Sequence, residues 1–365
     1  VLEILQKHGV KKMVKSKSML TEECGMNPYL EQNGIDVVET DLGERILQLL
    51  HQKPSHIVMP AIHLKREEVG RMFEEKGISK EIGNYDPTYL TRCARMHLRN
   101  QFMEAGAGMT GCNFGVAESG DIVVCTNEGN ADMSTSMPKL HLVAMGIEKI
   151  VPDYKSLAVF QRLLCRSATG QPTTAYTSHF RQARPGAEMH VILVDNGRSD
   201  ILADSEHWET LKCIRCGSCM NTCPVYRRSG GYSYTYFIPG PIGVNLGMLR
   251  DARRYSDNVS ACTLCLSCDN VCPSKVGPGS QIYLWRQKLD SLHRADPMKK
   301  FMSIGMESLF EHPHLYAAAL RLAPLANIVP DKLTRVRGVN PWSVGHTKPE
   351  FAKESFQEMW KKGKV

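Results

Sequence analysis

The sequence predicts an α/β domain over residues 1–205, an all-helical cysteine-rich domain over 206–300 and a helical or extended tail over 301–365. Three observations carry this prediction. Strands alternate with helices through the first 80 residues, as in parallel α/β layering. Eight of the 13 cysteines fall into two tight runs after residue 212. The charge also divides: residues 1–205 hold 23 Lys and Arg against 25 Asp and Glu, whereas residues 206–365 hold 22 against 13.

The elements follow in order. VLEILQKHG reads as a helix, VKKMVKS as a strand, and a polar, turn-rich helix precedes the strand IDVVET. GERILQLLH is a helix, HIVMPA a strand, and LKREEVGRMFEEKG and residues 87–105 are two further helices. FGVAESG and DIVVCTNEG form a hairpin about Ser119-Gly120. PKLHLVAMG is expected as a helix, EKIVP as a strand and EMHVILVDNG as a later strand. GAGMTG at 106–111 matches a dinucleotide fingerprint in letters, with Asp132 about 20 residues on. Its context is reversed, with a helix before it and a strand after, so it reads as a glycine-rich turn approached closely by other backbone. No apolar run reaches the roughly 18 residues of a membrane span; 315–329, the best candidate, is broken by Arg321 and Pro324. The chain opens at Val1 within a helix, with no initiator Met or signal pattern, and reads as N-terminally truncated.

Cys213, Cys216, Cys219 and Cys223 stand in CIRCGSCMNTCP; Cys262, Cys265, Cys268 and Cys272 stand in CTLCLSCDNVCP. Both are C-x2-C-x2-C-x3-C-P, the run in which three cysteines hold one cubane and the fourth reaches its neighbour. Eight ligands fit two [4Fe-4S] clusters: Cys213, Cys216, Cys219 with Cys272, and Cys262, Cys265, Cys268 with Cys223. Structural zinc, usually two C-x2-C pairs flanking a finger, matches poorly. An odd cysteine total also argues against a disulfide framework and for a reducing compartment. The basic half has dispersed charges and no nucleic-acid module, so its excess is assigned to the clusters, each carrying about two negative charges when oxidised, and to an acidic partner. The 38 residues between the runs exceed a small ferredoxin's spacing and contain a glycine-aromatic loop, where Tyr232, Tyr234 and Tyr236 either shield a cluster or simply pack.

These residues resemble the lactate-utilisation iron-sulfur proteins, the LutB/LldF family, which join a LUD domain to a helical two-cluster domain. The resemblance runs through SKSMLTEECGMNPYLE, GMTGCNFGVAESGDIVV, NEGNADMSTSMPKLHLVAMGIEKIVP, SATGQPTTAYTS, LVDNGRSDILAD, both cysteine runs and PGPIG. The family has a further N-terminal helical segment, and the tail after 340 is the part least like it. The resemblance implies a NagB/RpiA/CoA-transferase-like LUD fold. It also implies an iron-sulfur electron-transfer subunit of a multi-protein system oxidising L-lactate to pyruvate, cytoplasmic or membrane-associated through partners. Those partners would be a CCG-type cysteine-rich subunit and a second LUD-domain protein; the chain itself has no CCG motif. Two other classes stay open: an isomerase- or transferase-like enzyme with regulatory clusters, and a redox-sensing interaction protein.

Two further sites are expected. In NEGNADMSTS, Gly129, Asn130, Ser134, Thr135 and Ser136 offer donors for a small anion ahead of a helix beginning near Pro138. Glu128 beside them is the candidate catalytic acid, or a loop-capping residue. In the tail, Phe351, Phe356, Met359 and Trp360 among lysines suit either partner docking or a packed amphipathic helix.

Overall fold

The computed structural model describes residues 1–289, 291–292, 297–330 and 346–365. They form two compact units, Val1–Leu292 and His293–Val365.

Nine strands build the first part of the larger unit: β1 (Lys12–Lys15), β2 (Asp36–Glu39), β3 (Ala107–Thr110), β4 (Phe114–Val116), β5 (Asp121–Thr126), β6 (Leu140–Gly146), β7 (Ile150–Val151), β8 (Tyr176–Phe180) and β9 (Glu188–Val194). Five of them form a wholly parallel sheet in the order β2-β1-β3-β6-β9. A parallel sheet must be covered on both faces. One face buries Met13, Val37, Met109 and Leu142 against Leu5 and Leu30 of the helices Leu2–Lys7 and Met26–Gln32. The other buries Val14 and Val38 against Leu98 and Phe102 of the helix Pro87–Glu104.

The expected helix over 138–146 is instead β6, every residue of which is buried between β3 and β9. A short continuous apolar run looks alike as a buried strand or a buried helix, and here the sheet decides. HIVMPA is likewise no strand but a turn-rich loop. The glycine-rich turn is explained by Gly108, where a Cβ would lie 1.6 Å from the Ser134 carbonyl oxygen. Helix Asn130–Ser136 therefore rests directly on β3.

A second sheet, β7-β4-β5-β8, contains the expected hairpin, turned at Gly120 with φ 73°. Its Phe114, Val116 and Val123 pack on Leu157 and Leu164 of helix Tyr154–Thr169, together with Ile214 and Cys216. The core of the α/β part therefore already includes the first cysteine run.

From 206 to 292 the described residues are helical. The main elements are Ser218–Thr222, Pro224–Ser229, Gly240–Tyr255, Asp257–Ala261, Ser267–Val271 and Pro278–Lys288. The loop that replaced the expected strand docks here: Ile57 is buried with Met220, Cys223, Tyr226, Ile238 and Ile242. Tyr226 donates its hydroxyl proton to the Ser55 carbonyl at 2.7 Å, and His56 bonds Asn221 at 3.1 Å.

The smaller unit holds the helices Pro297–Glu311, Pro313–Leu322 and Phe356–Lys361, with Arg321 paired to Glu358 at 2.8 Å. Phe356 and Trp360 are largely exposed and stack on each other at 6.2 Å. Among the described residues no helix is long and apolar enough to cross a membrane.

Candidate iron-sulfur centre and an adjoining cavity

The two cysteine runs adopt one backbone conformation twice. Two residues after the first cysteine, φ turns positive at Arg215 (61°) and Leu264 (54°); four residues after it, at Gly217 (80°) and Leu266 (56°). Each run then enters a five-residue helix, Ser218–Thr222 or Ser267–Val271, and these two helices pack against each other. Three of the four positions are not glycine, so each costs about 1–2 kcal/mol of backbone strain. Such strain persists where the surrounding structure holds it, typically at a functional site.

Backbone N–H groups of the runs and of the segments that follow them face the sulfurs. The amides of Leu264, Val276 and Tyr226 point at Cys262, Cys272 and Cys223 Sγ at 3.4, 3.3 and 3.5 Å. The amides of Ser218, Ile242 and Ser267 face Cys216, Cys219 and Cys265. At Gly279 a Cβ would lie 3.1 Å from Cys268 Sγ, so only glycine fits there without displacing that sulfur.

All 13 cysteines are free. Burial raises the Cys216 thiol, and the thiols of Cys213 and Cys272 raise it further. Burial likewise raises Cys262, with contributions from Cys223 and Cys265. Cys268 is pushed up to about 12 by burial, Asp269, Cys262 and Cys223. The two runs thus lie within electrostatic reach of each other, Cys272 acting on Cys216, Cys268 on Cys219, and Cys223 on Cys262 and Cys268. Buried thiols of this kind ionise only with compensating positive charge, which bound iron supplies.

Arg286 braces the second run by donating to the carbonyls of Val259, Ser260 and Cys262, and Lys149 donates to the Cys213 carbonyl at 3.2 Å.

A LUD-domain family model matches residues 1–201. The chain belongs to the LUD-domain family. In this LUD protein a 4Fe-4S dicluster domain matches residues 209–276, and with eight cysteines in two matched runs it takes two [4Fe-4S] clusters. When bound, these clusters supply one-electron redox steps. The chain is 40% identical over 375 residues to lactate utilization protein B of Bacillus cytotoxicus, covering 100% of this chain and 79% of that protein. It is 42% identical over 382 residues to lactate utilization protein B of Shouchella clausii, covering 99% and 78%. It is 39% identical over 374 residues to the uncharacterized electron transport protein YkgF of Escherichia coli, covering 99% and 78%. No solved structure matches.

The aromatic loop of this LUD protein divides by position. Tyr236 is buried with Met220 and Ile238, Tyr234 lies beside Cys223 and Cys262, and Tyr232 is more than half exposed.

Beside the first run, a cavity of about 340 Å³ opens at the carboxyl ends of the parallel strands. It is walled by Lys17 after β1, Asp41 after β2, Cys112 and Asn113 after β3, Glu128 after β5, Lys149 after β6, and Arg215. Glu128 is raised to about 7 by burial and by Asp41, against the Leu42 N–H and Lys17. Its carboxylate accepts the Leu42 amide at 3.2 Å. Of the residues expected to form an anion site, Asn130 reaches this cavity, whereas Gly129, Ser134, Thr135 and Ser136 are not in its wall. The reason is that the donor-rich run is itself the helix and no helix starts near Pro138: Ser134 is wholly buried, Thr135 donates to the Asp132 carbonyl, and Ser136 is exposed. Sequence reasoning missed Lys17, Asp41, Lys149 and Arg215. Lys17 and Asp41 had one usable signal, their place just past the ends of two strands.

Proposed function

We propose that this chain is the iron-sulfur electron-transfer subunit of a multi-protein system that oxidises L-lactate to pyruvate, working in the cytoplasm with a CCG-type cysteine-rich subunit and a second LUD-domain protein. The carrying observation is the duplicated cysteine loop, with the same positive-φ positions in both runs and backbone amides directed at its sulfurs, in a chain about 40% identical to lactate utilization B proteins. Ligation is crossed: Cys213, Cys216 and Cys219 with Cys272 hold one cluster, and Cys262, Cys265 and Cys268 with Cys223 hold the other. The effect of Cys272 on the Cys216 thiol, and of Cys223 on the Cys262 and Cys268 thiols, supports that pairing.

The chain's own residues orient the thiolates, donate N–H groups to them and exclude water. Lactate oxidation releases two electrons, so a second group must share the two-electron step with one-electron carriers. The test is an anaerobic titration of the loaded chain with lactate, with and without partner proteins. Cluster bleaching by lactate only in the assembled system is the expected result. Steady turnover with both clusters permanently oxidised would overturn the assignment.

A further inference from the structure

We infer that the cavity beside the first cysteine loop is a binding site for a small 2-hydroxy or 2-oxo carboxylate. The inference deepens the proposed function and rests on it for the choice of substrate class; the site itself is argued from its position, size and unspent donors.

Position comes first. In the order β2-β1-β3-β6-β9, the chain leaves β1 toward one edge for β2 and toward the other for β3, so the winding direction reverses between β1 and β3. Connections diverge there and leave a crevice beyond the carboxyl ends, which is where open α/β sheets take ligands. Residues 16–18 after β1 and 111–113 after β3 both line the cavity. Its volume is at the lower end of the roughly 300–1,000 Å³ of small-molecule sites.

The charges can then be sorted into spent and unspent. Arg198 is saturated: its guanidinium binds Glu148 at 2.5 Å and Glu23 at 3.0 Å. Lys149 gives one of its three protons to the Cys213 carbonyl at 3.2 Å and stands 4.0 Å from Glu148. Lys17 gives one of its three protons to the Val58 carbonyl at 2.7 Å, and Asp41 stands at 3.8 Å, too far for a hydrogen bond. Arg215 has its Nη1 buried with no hydrogen-bond partner. An unmatched buried guanidinium nitrogen is costly, and Arg215 borders both this cavity and a second one walled by Glu23, Tyr236 and Arg250. Lys17 and Arg215 thus have donors for a carboxylate.

The acid pair Glu128 and Asp41 lies beside Lys17, and a carboxyl there can donate to or accept from an oxygen on the carbon next to that carboxylate. The thiols of Cys112 and Cys125, pushed up to about 12 and about 11 by burial, form a neutral wall. Because Ile214 and Arg215 close the cavity from within the first cysteine run, an occupant sits against the loop that wraps the first cluster.

The test uses the intact, cluster-loaded chain without partners, titrated anaerobically with L-lactate, pyruvate, propionate and inorganic phosphate in a calorimeter. Lactate and pyruvate should bind, with propionate about 10-fold weaker or worse for want of the second oxygen. Lys17→Met should weaken lactate by about 10- to 100-fold, the scale of a lost charged hydrogen bond. Glu128→Gln, which keeps a donor, should stay within about 10-fold of the parent at pH 6. Iron content and visible absorption confirm that each variant is loaded, and Ala168→Phe, which fills the cavity without touching a charge, gives a second route to lost binding. Equal binding of lactate, propionate and phosphate would overturn the substrate class. Lactate binding that survives both Lys17→Met and Ala168→Phe, or no binding at all, would overturn the site. Binding without cluster reduction in the assembled system would instead leave the site standing and remove the electron-transfer assignment.

Discussion

Replacing Cys272 by serine is expected to empty the cluster site of the other cysteine run. The loaded chain carries about eight irons in two cubanes, so loss of one site leaves about four. Under the proposed crossed pairing, Cys272→Ser and Cys216→Ser are lesions of one site. Each single variant should fall to about four irons, and the double variant should fall no further, because both changes remove the same cubane. Cys268→Ser combined with Cys272→Ser strikes both sites although both residues belong to one run, and should approach zero iron. Iron and acid-labile sulfide per chain after anaerobic purification give the counts. Electron paramagnetic resonance of the dithionite-reduced samples shows whether one signal disappears while the other persists. The opposite pattern, about four irons in the Cys268/Cys272 pair and none in the Cys216/Cys272 pair, would mean that each run closes its own cluster.

Three further outcomes are expected. Lys15 is buried and holds Glu39 at 2.7 Å and Glu22 at 3.3 Å, so Lys15→Met strands buried carboxylates and should cost about 3–5 kcal/mol in denaturant unfolding, largely recovered by adding Glu39→Gln. Glu128, raised from 4.5 to about 7 by burial and Asp41, with Lys17 opposing, binds more protons folded than unfolded between those values. Its contribution is therefore fully present below about pH 4.5 and lost as pH rises through 7, up to about 3 kcal/mol, and Glu128→Gln should flatten that part of the stability profile. Gly217 has φ 80°, and a Cβ there meets His56 at 3.1 Å and Val58 at 3.3 Å, so Gly217→Val should cost about 2 kcal/mol or more and hasten loss of the first cluster to a chelator, whereas Leu266→Gly at the matching position should not.

What could be read from the sequence depended on whether the chemistry was local. A C-x2-C-x2-C-x3-C-P run contains its own ligand geometry, so the dicluster character stood in the letters at Cys213 and Cys262. The succession of short strands and helices at α/β spacing located β1, β2 and the helices near them for the same reason. β6 was misread because LHLVAMG is buried on both faces and has neither period. HIVMPA looked like a strand because Ile57 is buried, but it is buried against Met220 and Tyr226, far along the chain. The cavity was the least visible feature. Lys17, Asp41, Glu128 and Arg215 come from four separate loops, and no spacing in the sequence records that a sheet's winding brings them together.

The docking of residues 54–60 into the helical half has a consequence for how this protein is made. Synthesis delivers the α/β half first, with Ile57 and the Ser55 carbonyl still lacking Tyr226 and Met220, which follow more than 160 residues later. Nascent chains fold from the N-terminus, and a half-built core exposes apolar surface. The α/β half therefore emerges with one wall missing until the cysteine-bearing segment has left the ribosome. Ile214 and Cys216 also fill the core beneath the β4–β5 hairpin. A chain cut between the two halves would yield an α/β fragment with two apolar wounds, and a helical fragment in which the first cysteine run has lost the surface it folds against.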